Sequence, residues 1–218
     1  MRRKKCEITD RKAIECILDS ATIGRIATLG SDGYPYITPV NFVFHRGNIY
    51  FHSAPEGEKL DNISRNPNVC FEVDIPLAYL DSGFDPDRRI CQLHQLYHSV
   101  IVRGKASLVL DDSLKVQYLN ALVSKHEHHS DHDQVTVEMK AFRACVVVEI
   151  KPTSISAKSD LWQYKASEVR IRLAQYLKNR KQPSDLETIV SMGFNPEDLW
   201  NNYSKPGPPL EEFERIQK

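Results

Sequence analysis

Residues 34–63 read Tyr-Pro-Tyr-Ile-Thr-Pro-Val-Asn-Phe-Val-Phe-His-Arg-Gly-Asn-Ile-Tyr-Phe-His-Ser-Ala-Pro-Glu-Gly-Glu-Lys-Leu-Asp-Asn-Ile, and the fold follows from them. The stretch is a hairpin interrupted by two prolines that runs into a helix start. Tyr34 to Phe44 is a strand, His45-Arg46-Gly47-Asn48 turns the chain, and Ile49-Tyr50-Phe51-His52 returns. Just upstream, Gly24-Arg25-Ile26-Ala27-Thr28-Leu29 alternates and is rich in β-branched residues, which predicts a strand. Ser31-Asp32-Gly33 supplies the turn between them, because Asp-Gly tolerates positive φ. A three-stranded antiparallel meander is expected.

Working outward, Thr9 or Asp10 can cap a helix whose apolar face is Ile14, Ile17 and Leu18. Glu58 to Ser64 is a short helix ended by Asn66-Pro67, and Val69 to Val73 is the next strand. Residues 76–96 are rich in Asp, Gly, Pro and Arg without a clean period, and read as a long irregular excursion. Ser99 to Leu110 is a strand, and Asp111-Asp112-Ser113 caps a helix reaching about Ser124. Ala144 to Ile150 is a nearly continuous apolar run, as in a strand buried on both faces. Beyond Pro152 the spacing turns helical over Ala166–Asn179, Ser184–Met192 and Pro196–Asn202, and Pro206-Gly207-Pro208-Pro209 stops it. The fold class expected is mainly β: a split antiparallel β-barrel with short helices and a C-terminal helical extension. The division expected is 1–162 for the barrel domain and 163–218 for the extension.

Lys plus Arg and Asp plus Glu are 29 each, so the basic excess of a general nucleic-acid binder is missing. No apolar run approaches membrane-spanning length, and the basic start Arg2-Arg3-Lys4-Lys5 leads into polar sequence rather than a secretory segment. Five cysteines, an odd number without a C-x-x-C pair, argue against a disulfide framework and a zinc cluster. A cytoplasmic protein with no nucleic-acid or membrane partner is expected. The tract His126-Glu127-His128-His129-Ser130-Asp131-His132-Asp133 reads as a solvated loop after a helix end, not as a metal site.

The chemistry lies in the opening stretch. Pro35 and Pro39 cannot donate to a ladder, so their strand is at an edge or bulged. Backbone groups of Thr38, Val40 and Asn41 are then available to a flat heterocycle. Ser53 supplies a hydroxyl, Gly57 permits close backbone approach at a helix start, and Lys59 adds a full charge to the helix dipole. A phosphate monoester suits that arrangement, and ring plus phosphate together suggest a flavin mononucleotide.

Gly-Arg-Ile-Ala-Thr at 24–28, Asp-Gly-Tyr-Pro-Tyr-Ile-Thr-Pro-Val-Asn-Phe at 32–42, Ile-Tyr-Phe-His-Ser-Ala at 49–54 and Lys-Leu-Asp-Asn-Ile at 59–63 resemble the pyridoxamine 5'-phosphate oxidase-like flavoproteins. Val-Cys-Phe-Glu-Val at 69–73 and Tyr-His-Ser-Val-Ile-Val-Arg-Gly-Lys-Ala at 97–106 extend the resemblance, which is strongest to the nitroimidazole-resistance (Nim-type) branch and covers about residues 5–162. It implies a homodimer holding FMN at the subunit interface. By the same resemblance, Thr38, Pro39, Val40 and Asn41 line the ring, and His52, Ser53 and Lys59 serve the phosphate or the adjoining pocket. Tyr97, Ser99 and Val100 approach from the second subunit, and Trp162 walls the pocket.

The expected activity is an FMN-dependent oxidoreductase passing electrons from a donor such as NAD(P)H to a small acceptor such as a nitroaromatic compound. His52 and His98 are the candidate proton donors. The alternatives are a haem-binding or haem-degrading split barrel, in which a histidine ligates iron, and a non-enzymatic flavin-binding or sensor module. Deazaflavin F420 in place of FMN is a variant of the first reading.

Overall fold

The computed structural model of the protein describes residues 3–127, 129 and 132–199. In chain order the elements are β1 (Glu7–Ile8), α1 (Arg11–Ser20), β2 (Ile23–Leu29), β3 (Pro35–Asn41), β4 (Val43–His45), β5 (Asn48–Ser53), α2 (Glu58–Arg65), β6 (Asn68–Leu80), β7 (His94–Leu108), α3 (Asp112–His126), α4 (Lys140–Arg143), β8 (Val146–Asp160), α5 (Ser167–Arg180) and α6 (Asp185–Ser191). The strands form one mostly antiparallel eight-stranded sheet in the order β3-β2-β6-β7-β8-β5-β4, with β1 pairing β8 off that path. This is the split β-barrel with short helices.

The expected meander is replaced by two hairpins. The apolar run Val40–Phe44 breaks at Phe42, so β3 pairs with β2 from Leu29↔Pro35 to Ile23↔Asn41, whereas β4 pairs with β5 from Val43↔Tyr50 to His45↔Asn48. Phe42 is fully buried and meets the Phe71 ring edge-on at 5.0 Å. Burying that ring supplies the apolar gain that accompanies this one-residue break in the ladder. β3 and β4 thus become the two ends of the sheet path.

The long excursion expected between Ile75 and Leu96 is also corrected. β6 continues to Leu80 and β7 begins at His94, leaving a connection with a 3-10 turn at Ile90–Gln92. The third correction concerns the end of α3. Asp111 caps it by accepting from the Leu114 amide, but the helix runs through His126 rather than stopping near Ser124. At the far end of the described chain, Pro196–Asp198 forms a single 3-10 turn, and the proline-rich stop at 206–209 lies outside the described residues.

The chain divides into two compact units. One consists of the described residues within Met1–Glu7, Ile75–His98 and Lys158–Lys218, the other of Ile8–Asp74 and Ser99–Ala157. The first unit is built around Leu77, Leu80, Leu96, Trp162, Leu173, Leu177 and Ile189. Arg180 ties α5 to the end of β6 and the start of α6, donating to Asp81 at 2.7 Å, to the buried Asp185 and to the Tyr79 carbonyl at 2.8 Å.

The second unit contains the β2–β3 and β4–β5 hairpins with α1, α2 and α3. Its fully buried side chains include Leu18, Ile26, Phe42, Ile49, Phe51, Phe71 and Ile150. Tyr50 stacks on Tyr118 with ring centroids 3.6 Å apart and donates to Glu149 at 2.7 Å. β7 and β8 come so close that a Cβ at Gly104 would lie 2.5 Å from the Lys151 carbonyl oxygen, which explains the glycine. No helix among the described residues is long and apolar enough to cross a membrane.

Candidate functional site

β3 alternates along its length: Pro35, Ile37, Pro39 and Asn41 are exposed, while Tyr36, Thr38 and Val40 are half-buried. Its position at the end of the sheet path is what its two prolines require. The Thr38 Oγ1 is buried and has no hydrogen-bond partner among the described residues. A hydroxyl in that state costs about 1–3 kcal/mol, and a bound polar ligand would recover it. Thr38, Pro39, Val40 and Asn41 are contiguous at this edge.

His52 and Ser53 end β5, opposite Val147 and Val146. His52 is exposed and Ser53 half-buried. Four residues later Gly57, at φ +131°, opens α2 without any side-chain cap. That φ strains any ordinary side chain, which accounts for the glycine. Leu60 and Asp61 donate back to the Gly57 carbonyl at 2.9 and 3.2 Å, so the Glu58 and Lys59 amides keep the unpaired position of a helix start.

Lys59 is half-buried, with its Nζ 5.2 Å from the Phe51 ring centroid. Burial pushes its ammonium below the ordinary lysine range, and no carboxylate among the described residues forms an ion pair with it. An uncompensated cation at an uncapped helix start is suited to an anion. Glu58 and Asp61 in the same turn limit how much negative charge it would welcome.

Two groups outside the expected set hold this arrangement. The fully buried Asn62 donates to Thr28 Oγ1 at 3.0 Å and accepts from Arg65, while Thr28 donates to the Tyr36 carbonyl at 3.4 Å. This chain of bonds fastens α2 to the hairpin that carries Thr38. At the other end of β3, Asn41 donates to the Thr22 carbonyl at 3.3 Å and lies 3.5 Å from His126 Nδ1. His126 Nε2 is 3.0 Å from the Phe42 carbonyl. His126 therefore does not belong to a solvated loop as expected; it is a half-buried residue of the last turn of α3. The helical spacing of Tyr118, Leu119 and Leu122, continued by one turn, is the signal that could have placed it.

Tyr97, His98, Ser99 and Val100 follow one another on β7. Tyr97, His98 and Ser99 are half-buried, and Val100 is fully buried, so only its backbone can reach a ligand. His98 Nδ1 is 2.8 Å from Ser159 Oγ, and burial holds its imidazole below the usual histidine range, with Glu187 opposing. It is therefore a neutral ring near pH 7. Trp162 packs into the core of the first unit, edge-on to Phe84 at 5.7 Å and tilted on His94 at 6.1 Å. A cavity of about 440 Å³ in the first unit is lined by Arg3, Lys4, Lys5, Cys6 and Tyr164, none of them an expected site residue. Among the described residues no group of three or more His, Cys, Asp or Glu could hold a metal ion.

The family model of pyridoxamine 5'-phosphate oxidase matches residues 10–159. The chain belongs to the pyridoxamine 5'-phosphate oxidase family. Among solved structures it is similar to a candidate 5-nitroimidazole antibiotic resistance protein from Bacteroides thetaiotaomicron, at 25% identity and a TM-score of 0.59, over 70% of this chain and 85% of that one. The flavocytochrome Anf3 from Azotobacter vinelandii (20% identity, TM-score 0.60, 73% of this chain and 72% of that one) shares the fold. So does a FAD and heme binding protein from Mycobacterium smegmatis (18% identity, TM-score 0.60, 75% and 78%). No curated protein matches. The matched span of the family takes in β2, β3, β5, α2 and the end of α3, the elements that carry the edge, the helix start and their fasteners.

Proposed function

We propose that this member of the pyridoxamine 5'-phosphate oxidase family is an FMN-dependent oxidoreductase that reduces a small acceptor of the nitroaromatic class. The observation that carries the reading is the presence in one compact unit of an unsatisfied buried hydroxyl at Thr38 and of a cation without an ion-pair partner among the described residues at the uncapped start of α2. A phosphorylated ring supplies what each lacks. The similarity to the Bacteroides thetaiotaomicron protein supports the acceptor class.

In this reading the backbone edge of Thr38–Asn41 orients the ring, and the Thr38 hydroxyl bonds its polar rim. Ser53, the Glu58 and Lys59 amides and the Lys59 ammonium hold the phosphate. Bound FMN supplies reversible hydride and single-electron transfer, which no side chain of this protein provides. His98, neutral and bonded through Nδ1 to Ser159, has its Nε2 left to hold a proton for the acceptor; His52, exposed at the end of β5, is the second candidate.

A second copy of the chain completes the site. Ile23, Leu29, Tyr34 and Ile37 leave a large apolar area exposed on β2, β3 and their turn, 74% in the case of Tyr34, and such an area suits a self-complementary interface. NAD(P)H as electron donor would dock transiently over the ring.

The absorption spectrum of the purified protein, followed by acid release and mass measurement of any chromophore, tests the reading. FMN is the expected product. A haem Soret band would establish the haem-binding alternative, and a colourless protein that takes up no FMN would exclude the proposal.

A further inference from the structure

The last turn of α3 holds the end of β3 through three contacts and α1 through a fourth. Lys125 donates to the Leu18 carbonyl at 2.8 Å, and its Nζ sits 3.7 Å from the Phe42 ring centroid. His126 reaches the Phe42 carbonyl with Nε2 at 3.0 Å and the Asn41 amide nitrogen with Nδ1 at 3.5 Å. A carbonyl only accepts and an amide nitrogen only donates, so one tautomer satisfies both: Nε2–H donates to Phe42, and the Nδ1 lone pair accepts from Asn41. The Asn41 amide group is thereby committed to His126 and to the Thr22 carbonyl. Its Oδ1 remains to accept from a ring N–H.

We propose that Lys125 and His126 are positioning residues of the flavin site, His126 by fixing the orientation of the Asn41 side chain and Lys125 by seating Phe42 where β3 breaks. The inference rests on the FMN reading and deepens it. His126 acts through Asn41, exposed at the end of β3, and Lys125 through Phe42, buried where β3 gives way to β4. The device comes from 84 or so residues downstream, which is why the motif at 34–63 contains none of it.

Lys125 also carries a means of regulation. Its ammonium, half-buried between Phe42 and α1, is held down to about 8 by burial, with Asp19 on α1 the one charged group opposing that shift. The Asp19 carboxyl is itself raised by burial. Above that range the side chain loses its charge, and with it the attraction to the Phe42 ring. Lys59 on α2 is lowered by burial alone, so its contribution persists when Lys125 is replaced.

A double-mutant cycle on full-length protein tests the proposal, with FMN affinity read by flavin fluorescence. His126→Ala should weaken FMN about tenfold in the native background and leave it unchanged in an Asn41→Ala background. Lys125→Met should weaken it about fivefold at pH 7 and remove one leg of the fall in affinity through pH 8, while Lys125→Arg restores the pH 7 affinity. If His126→Ala fails to fold, His126→Lys takes its place; it offers a donor for Phe42 and no acceptor for Asn41. An equal loss from the histidine change in both backgrounds would overturn the proposal, as would an unaltered affinity and pH profile in Lys125→Met. Native protein that binds no FMN would instead remove the reading on which the proposal stands.

Discussion

Thr38 presents a hydroxyl stripped of water and given nothing in return. Replacing it should therefore act in opposite directions on the empty and loaded protein. Thr38→Val should raise the stability of the flavin-free protein by about 1 kcal/mol in a thermal melt, because an unmade hydrogen bond is removed at constant shape. The same change should weaken FMN. Lys59→Ala should weaken FMN by about 1.5–3 kcal/mol, the range for a charge-assisted bond to phosphate, read by titration. Because burial lowers the Lys59 ammonium, the cation that binds phosphate should be lost as pH rises before the ordinary lysine range is reached. For Lys125 the sign concerns stability. Its folded value of about 8 lies below the unfolded lysine value near 10.4, so the unfolded chain binds the extra proton between the two. Its contribution to stability should rise with pH across that window, and Lys125→Met should flatten the slope of melting temperature against pH there. At this scale the places of Thr38 on an edge strand, Ser53 at a strand end and Lys59 at a helix start were legible, because each is set by local sequence. Lys125 and His126 were not, since their partners Leu18, Asn41 and Phe42 are named only by tertiary contact.

Among the elements, the β2–β3 hairpin was readable from alternation and an Asp-Gly turn, and its register runs unbroken from Leu29↔Pro35 to Ile23↔Asn41. The break at Phe42 was hidden inside a continuous apolar run, where a strand and a strand switch look alike. β6 was hidden for another reason. Pro76 and the acidic stretch after Leu80 suggest a loop, yet Leu77, Ala78 and Leu80 are buried against residues of α5 and α6 almost a hundred positions away. Arg180 is the fastener of that assembly. Arg180→Ala leaves the buried Asp185 carboxylate without its cation and should cost about 3–5 kcal/mol, measured by chemical denaturation. Asn62 plays the same part for α2. Asn62→Ala leaves the Thr28 hydroxyl without its donor and should loosen the helix start enough to weaken FMN as well as lower the melting temperature.

For the whole molecule, the sequence conveys a β-rich barrel and a helical C-terminal stretch, and both are present. How the latter is used lay beyond it, because periodicity shows that a helix has an apolar face but not what that face meets. Val169, Leu173, Ala174, Leu177 and Ile189 share one buried cluster with Leu77, Leu80, Leu96 and Trp162. Deleting residues from 163 onward should therefore expose that cluster and yield aggregated protein rather than an active shortened enzyme, as light scattering would register. The apolar area at Ile23, Leu29, Tyr34 and Ile37 predicts association in solution. Ile37→Lys should shift the mass in scattering to that of one chain and reduce FMN uptake with it. The proposed function requires one phosphorylated ring bound by the edge of β3 and the start of α2. Titration of flavin-free protein with FMN, run in parallel on native chain and Lys59→Ala, tests that most directly: the account predicts saturation at one FMN per chain and a weakening of at least about tenfold in the variant, whereas no uptake by the native chain, or equal affinity in the two, would contradict it.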